Sequence, residues 1–172
     1  NSTVEGTLAR GQASASTFVL RDAQAAPATP RLDVLFLLDA TGSMGDEIAQ
    51  IQQTIASIAE RIDASQPRPE LRFALVAYRD RGDAYVTQVH DFTPDVAQFR
   101  ETLLATSAGG GGDDPESLNE ALHAAVAGVH WADNAVRLTF LVADAPPHLD
   151  YPNDYDYVQE ARNAVAQGIK VY

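Results

Sequence analysis

The chain has 172 residues, 45% of them hydrophobic, enough for a single domain around one core. Its 24 acidic residues against 12 basic ones give a net charge of −12, which argues against a nucleic-acid partner, and no run of about 18 apolar residues offers a membrane span. With no cysteine, disulfide bridges, thiolate zinc sites and a cysteine nucleophile are excluded, so any metal must sit on oxygen or histidine.

Residues 1–30, rich in Ser, Thr, Ala, Gly and Gln and closed by Pro27 and Pro30, read as an N-terminal extension or linker with one short strand at Thr17–Leu20. The domain itself is expected over 31–172. Leu32–Leu38 is apolar at nearly every position, as in a central strand covered on both faces. Ile48, Ile51, Ile55, Ile58 and Ile62 then recur at helical spacing, which predicts a helix over about 44–64 with one face on a core. Leu71–Tyr78 and Tyr85–His90 read as strands joined by Asp80-Arg81-Gly82-Asp83 into an antiparallel hairpin. A turn explains this Arg-Gly-Asp tripeptide without a role as an integrin-type ligand. Thr93-Pro94-Asp95 marks a helix start with Thr93 as N-cap. Asp114-Pro115-Glu116 repeats the device and opens a helix whose Leu118, Ala121, Leu122, Ala125, Val126 and Val129 form an apolar stripe. Val136–Ala143 is a further buried strand, 156–167 a helix, and Ile169–Tyr172 the start of a strand. Strands and helices alternate, so the expected architecture is α/β: a three-layer, Rossmann-like, doubly wound and mostly parallel sheet with one antiparallel edge strand.

Ligands of such sheets bind beyond the carboxyl ends of the strands, where the strand order reverses. The first strand runs into Asp39-Ala40-Thr41-Gly42-Ser43-Met44-Gly45, and the later one into Val142-Ala143-Asp144-Ala145-Pro146-Pro147. A loop of Gly109–Gly112 with Asp113 and Asp114 is the third segment able to reach the same spot. Asp39, Thr41 and Ser43 alternate, so their side chains converge if the backbone stays extended. Carboxylate and hydroxyl oxygens without sulfur suit a hard divalent cation: magnesium first, manganese or calcium as alternatives. Without an ion Asp39, Asp113 and Asp144 would repel one another. The positive end of the helix starting near Ser43 eases that crowding but does not replace a divalent charge.

Asp39 to Met44, Gly111 to Glu116 and Ala143 to Pro146, in this order, resemble three motifs of the von Willebrand factor type A (VWA) domain, most closely those of bacterial and alpha-kinase-associated members. The likeness runs over about residues 31–172. It implies a metal-ion-dependent adhesion site (MIDAS) in a non-enzymatic binding module. Thr41 and Ser43 would bind the ion directly, and Asp39 and Asp144 would act mostly through water or hydrogen bonds. A carboxylate of a protein partner would complete the coordination. Family members usually add a threonine from the central loop; here Asp113 is the expected substitute and Asp114, which fits a helix N-cap better, the second choice. The family sheet also continues beyond a fifth parallel-type strand, so the domain is expected to be incomplete at its C-terminus, or to have a second chain or further segment covering an open sheet edge.

Other readings compete. Ser43 with Asp46 three residues on also fits a capping box. Thr41-Gly42-Ser43-Met44-Gly45 nearly spells a hydrolase nucleophile elbow, but it lacks the first glycine, and Asp144 and His148 share one short loop. A phosphotransferase with Asp39 as nucleophile lacks the second aspartate, and the glycine loop lacks the Gly-Lys ending of a phosphate cradle. Tyr151, Tyr155 and Tyr157 among Asp150, Asp154 and Asp156 could form a contact surface or a solvated loop and helix start. The remaining alternative is a scaffold that couples an ATPase or kinase to its target. One lysine against eleven arginines points to a GC-rich bacterial gene, and the lack of cysteine with an Asn-Ser-Thr start fits an exported, cell-envelope chain somewhat better than a cytoplasmic one.

Overall fold

The computed structural model describes residues 29–63, 68–112 and 114–172, with backbone alone at 55, 56, 59, 60, 62 and 63. The expected extension over 1–30, its strand at Thr17–Leu20, the side chains of Ile55 and Ile62, and Asp113 fall in whole or nearly so outside that set.

Five strands form one sheet: β1 (Arg31–Asp39), β2 (Glu70–Tyr78), β3 (Thr87–Thr93), β4 (Ala135–Val142) and β5 (Ile169–Val171). Their order is β3-β2-β1-β4-β5, with β3 antiparallel to β2 and every other pairing parallel. The expected α/β architecture is therefore present. Side chains alternate across β1, and the alternation builds two cores. Val34, Phe36 and Leu38 face α1 (Gly45–Asp63) and α2 (Val96–Ala105), meeting Met44, Ile48, Phe99 and Leu103. Leu35 and Leu37 face α3 (Leu118–Ala127), meeting Ala121 and Ala125. On that second face α4 (Tyr157–Ala166) joins through Ala164, packed with Val126 and Ile169. A strand buried on both faces must be apolar at successive positions, which is why β1 reads as a continuous hydrophobic run.

Asp33 is the exception inside that run. It is 1% exposed and opposite Arg72 on β2, whose guanidinium donates to both carboxylate oxygens at 2.9 and 2.6 Å. A cleft of about 490 Å³ lies here at the amino ends of the strands, and its acid and base are already paired.

Two helix starts differ from expectation. The N-cap of α2 is Asp95 and not Thr93: its carboxylate accepts from the amides of Ala97 and Gln98, while the Thr93 hydroxyl accepts from the Asp95 amide. A charged acceptor on two free amides is the stronger cap. The helix expected to open at Asp114 begins at Leu118, with Ser117 as N-cap position. Glu116 is instead held in an isolated bridge to Pro147, its amide donating to the Pro146 carbonyl. This pairing ties the glycine loop to the loop after β4.

One part of the sheet stays bare. Over β4 and β5, on the face carrying α1 and α2, Val136, Phe140 and Tyr172 are 51%, 37% and 65% exposed, and among the described residues no element covers them.

Candidate metal centre

The chain steps from β1 to β2 on one side and later to β4 on the other, so the sheet's switch point lies at the carboxyl ends of β1 and β4. Asp39 ends β1 there, fully buried. Its Oδ1 accepts from the Thr41 amide at 2.9 Å and the Thr41 hydroxyl at 2.7 Å, which fixes the turn. The Thr41 hydroxyl lies 3.5 Å from that of Ser43, in the 3₁₀ turn Gly42–Met44 that leads into α1. The two hydroxyls thus lie side by side, brought together by the 3₁₀ turn and not by the extended backbone on which the expected convergence depended.

The glycine loop is stitched to this turn from both sides. Gly42 donates to the Gly110 carbonyl at 3.1 Å, and Gly109 donates to the Ala40 carbonyl at 3.0 Å. Arg79, stacked on Tyr85, donates to the carbonyls of Ala40 and Ser107 and clamps the two segments together. A cleft of about 240 Å³ results, lined by Thr41, Gly42, Ser43, Gly110, Gly111, Gly112, Asp114 and Glu116. Asp114 is exposed at its rim.

Electrostatics mark the same place. Burial pushes the Asp39 carboxyl above the ordinary carboxylate range; the hydroxyl and amide of Thr41 pull it back, and the charge of Asp144 pushes it up again. Burial also drives the Tyr78 phenol far above its usual range, and Asp39, Glu116 and Asp144 add to the effect through their charges. The Tyr78 phenol and the Asp39 carboxylate are buried side by side as hydrogen-bonding neighbours. Among the described residues no three His, Asp or Glu side chains are grouped to hold an ion on their own, so the hydroxyls would have to contribute.

Of the residues singled out in the sequence, Thr41, Ser43 and Asp114 line the cleft, Asp39 lies beneath Thr41, and the charge of Asp144 reaches Asp39. Sequence reasoning missed Glu116, which is 3% exposed and sits in the cleft wall. The misleading signal was Pro115, which made Glu116 look like a first-turn acid on a helix surface.

His148 does not serve Ser43. Its ring is 4% exposed, with Nδ1 2.8 Å from Asp150 and Nε2 3.6 Å from Asp80, so both nitrogens face carboxylates. The same Asp80 accepts from the Ser117 hydroxyl and from the Tyr151 phenol. Tyr151 stacks between His148 and the guanidinium of Arg81, which in turn grips Glu120 and Asp154. Asp83 accepts from the amides of Asp80 and Gly111. The Arg-Gly-Asp turn is therefore an internal clamp on three loops, and its charged groups face inward.

A three-layer sheet with a hydroxyl- and carboxylate-lined cleft at its switch point defines a class of Rossmann-like binding domains. The von Willebrand factor A domain family matches residues 33–165, and the chain belongs to it. Relatives include the alpha-protein kinase vwkA of Dictyostelium discoideum, 29% identical over 68% of this chain and 19% of its own length. Rat von Willebrand factor A domain-containing protein 7 is 37% identical over 57% of this chain and 10% of its own. Mouse hemicentin-2 is 36% identical over 58% and 2%. The chain thus spans less than a fifth of these relatives. Proximal thread matrix protein 1 from the mussel byssus superimposes with a TM-score of 0.65 at 15% identity, over 83% of this chain and 35% of its own, and shares the fold.

Proposed function

We propose that this domain is a non-enzymatic protein-binding module of the adhesion type, centred on a divalent ion, magnesium in the first place, at a MIDAS-like site. Thr41 and Ser43 hold the ion directly, Asp39 and Asp144 orient its waters, and Asp113, with Asp114 behind it, is the loop ligand expected from the sequence. The bound ion would supply positive charge and an open coordination position; the chain's own groups bind and orient it. The observation that carries this reading is the pair of hydroxyls 3.5 Å apart beside the fully buried Asp39 carboxylate, which accepts from the Thr41 hydroxyl at 2.7 Å. The bacterial, alpha-kinase-associated type of VWA domain and an exported location belong to the same proposal. A second reading, a coupling subunit in a kinase or ATPase system, draws on the likeness to vwkA.

The test is thermal and urea unfolding of metal-stripped protein with magnesium, manganese or calcium added. An ion that binds only the folded state stabilises it by about 2.7 kcal/mol at a hundredfold excess over its dissociation constant. Ser43→Ala and Asp39→Ala should lose most of that gain. A folded wild type that responds to none of the three ions sinks the metal-centred reading and leaves the coupling subunit.

A further inference from the structure

The loop after β4 and the start of α4 form a second cleft, of about 350 Å³, that the metal-centred reading does not use. Its wall includes Asn119, Tyr151, Asp154, Tyr155, Asp156 and Tyr157. Asn119, on α3, is 3% exposed. Its Nδ2 donates to the His148 carbonyl at 2.8 Å and to Asp154 Oδ2 at 2.6 Å. Both partners are acceptors, so the amide has one orientation, because a flip would set Oδ1 against two oxygens. Held this way, Oδ1 is buried with no hydrogen-bond partner among the described residues. A buried acceptor left open in a cleft wall calls for a donor from a ligand.

The rest of the wall selects the donor. Tyr155 and Tyr157 are both exposed, and His123 stacks on Tyr155 with ring centroids 3.8 Å apart, which holds that ring in place. Tyr151 is already taken, stacked between His148 and Arg81. Two carboxylates share the wall: Asp154, and Asp156, which caps α4. Asp150 is exposed on the same loop. The cation nearest to them, Arg81, is divided between Glu120 and Asp154 and leaves the cleft acidic. Aromatic faces, carboxylates and an open carbonyl oxygen together fit a planar cation with several N–H donors, which is a guanidinium. Arg81 displays the same chemistry within the fold, with its guanidinium 4.4 Å from the Tyr151 centroid and paired to two carboxylates.

We infer that this cleft is a subsite for an arginine side chain of a protein partner. The guanidinium stacks on Tyr155, donates to Asn119 Oδ1 and lies against Asp154 and Asp156. Charge complementarity favours such an occupant over a neutral or acidic one, since the chain as a whole carries −12. The subsite uses no metal ion and stands apart from the reading of Thr41 and Ser43.

The experiment titrates isotope-labelled protein, in the presence of a chelator, with the blocked peptide acetyl-Gly-Gly-Arg-Gly-Gly-amide and follows its amide resonances by NMR. The peptide should saturably shift the backbone amides of 149–158 and the side-chain amide of Asn119. A citrulline counterpart, similar in shape but uncharged, should bind at least about tenfold more weakly, and a lysine counterpart about threefold more weakly. Tyr155→Leu, at an exposed position, should weaken the arginine peptide about fivefold while keeping the fold by circular dichroism. Asp156→Ser, which retains a helix cap but drops the charge, should weaken it about threefold. Equal binding of the arginine and citrulline peptides overturns the inference, as do unchanged affinity in both variants, shifts spread over the whole acidic surface, or no saturable shift. Shifts of the same amides on concentrating the protein alone assign the cleft to a second copy and overturn it too. Because the chelator removes divalent ions, none of these outcomes decides the metal-centred reading.

Discussion

Gly111 and Gly112 are neighbours in one loop, yet alanine at the two positions should act in opposite directions. Gly111 has φ +74°, where an L side chain is strained by about 1–2 kcal/mol, and its new methyl would press on Glu116 and Thr41. Gly112 lies outside that region, and a Cβ there meets nothing within 4 Å. Gly111→Ala should therefore lower the unfolding free energy by about 2 kcal/mol, and Gly112→Ala should leave it level or raise it by about 0.5 kcal/mol through the unfolded chain. Urea unfolding of both variants checks this, and equal effects would mean that the loop does not hold Gly111 in that conformation. Tolerance of a methyl at one glycine and not the next follows from backbone geometry that composition does not reveal.

Between elements, polar pairs on the strands set register. Asp33 on β1 and Arg72 on β2 face each other in register, and Asp33 also accepts from the Ala132 amide, so one buried acid joins two strands and the loop before β4. Removing it leaves the guanidinium and an amide without their acceptor. Asp33→Ala should be destabilising by about 3 kcal/mol in urea unfolding, and a loss below 1 kcal/mol would show that water replaces the carboxylate. Asp91 on β3 ties the other edge to the loop after α3. Burial disfavours its charge, but the amide and ring of His130 and the amide of Phe92 outweigh it, so its carboxyl is held below the ordinary aspartate range. A carboxylate depressed on folding stabilises fully above its unfolded pKa and loses that contribution as pH falls through the lower folded value. The stability difference between wild type and Asp91→Asn should thus be small but present at pH 7 and fade below about pH 3.8. A difference that persists unchanged at pH 2 would assign the effect to packing.

Across the molecule, the loops at the carboxyl end of the sheet are held by Arg81 rather than by a local turn. Its guanidinium reaches Glu120 on α3 and Asp154 after β4 and stacks on Tyr151, while Asp83 two residues on fastens the glycine loop. A planar fork makes these contacts together, which an ammonium does not. In Arg81→Lys, hydrogen exchange of amides in 148–156 should quicken about tenfold or more, a loss of roughly 1.4 kcal/mol of local protection, while β1 and β2 stay protected. Uniform acceleration would mean that the clamp stabilises the whole domain instead. Support of the Asp39–Ser43 turn by a clamp on the neighbouring loops gives the site a rigid floor, which the proposed presentation of an ion to a partner requires.

Local pattern was sufficient for much of this. The apolar run of β1, the isoleucine spacing of α1, the strand and helix alternation and the Asp39, Thr41, Ser43 spacing are one-dimensional signals, because burial on one or both faces of an element imposes a period of its own. Glu116, Asp33, the Asp95 cap and the Asp80–His148–Tyr151 stack were not legible. Each depends on groups roughly 30 to 70 residues apart, or on which of two adjacent oxygens reaches a free amide. Charge compensation and close approach are set by distance in space, and only the packing of β1 against β2 and β4 brings those groups within reach.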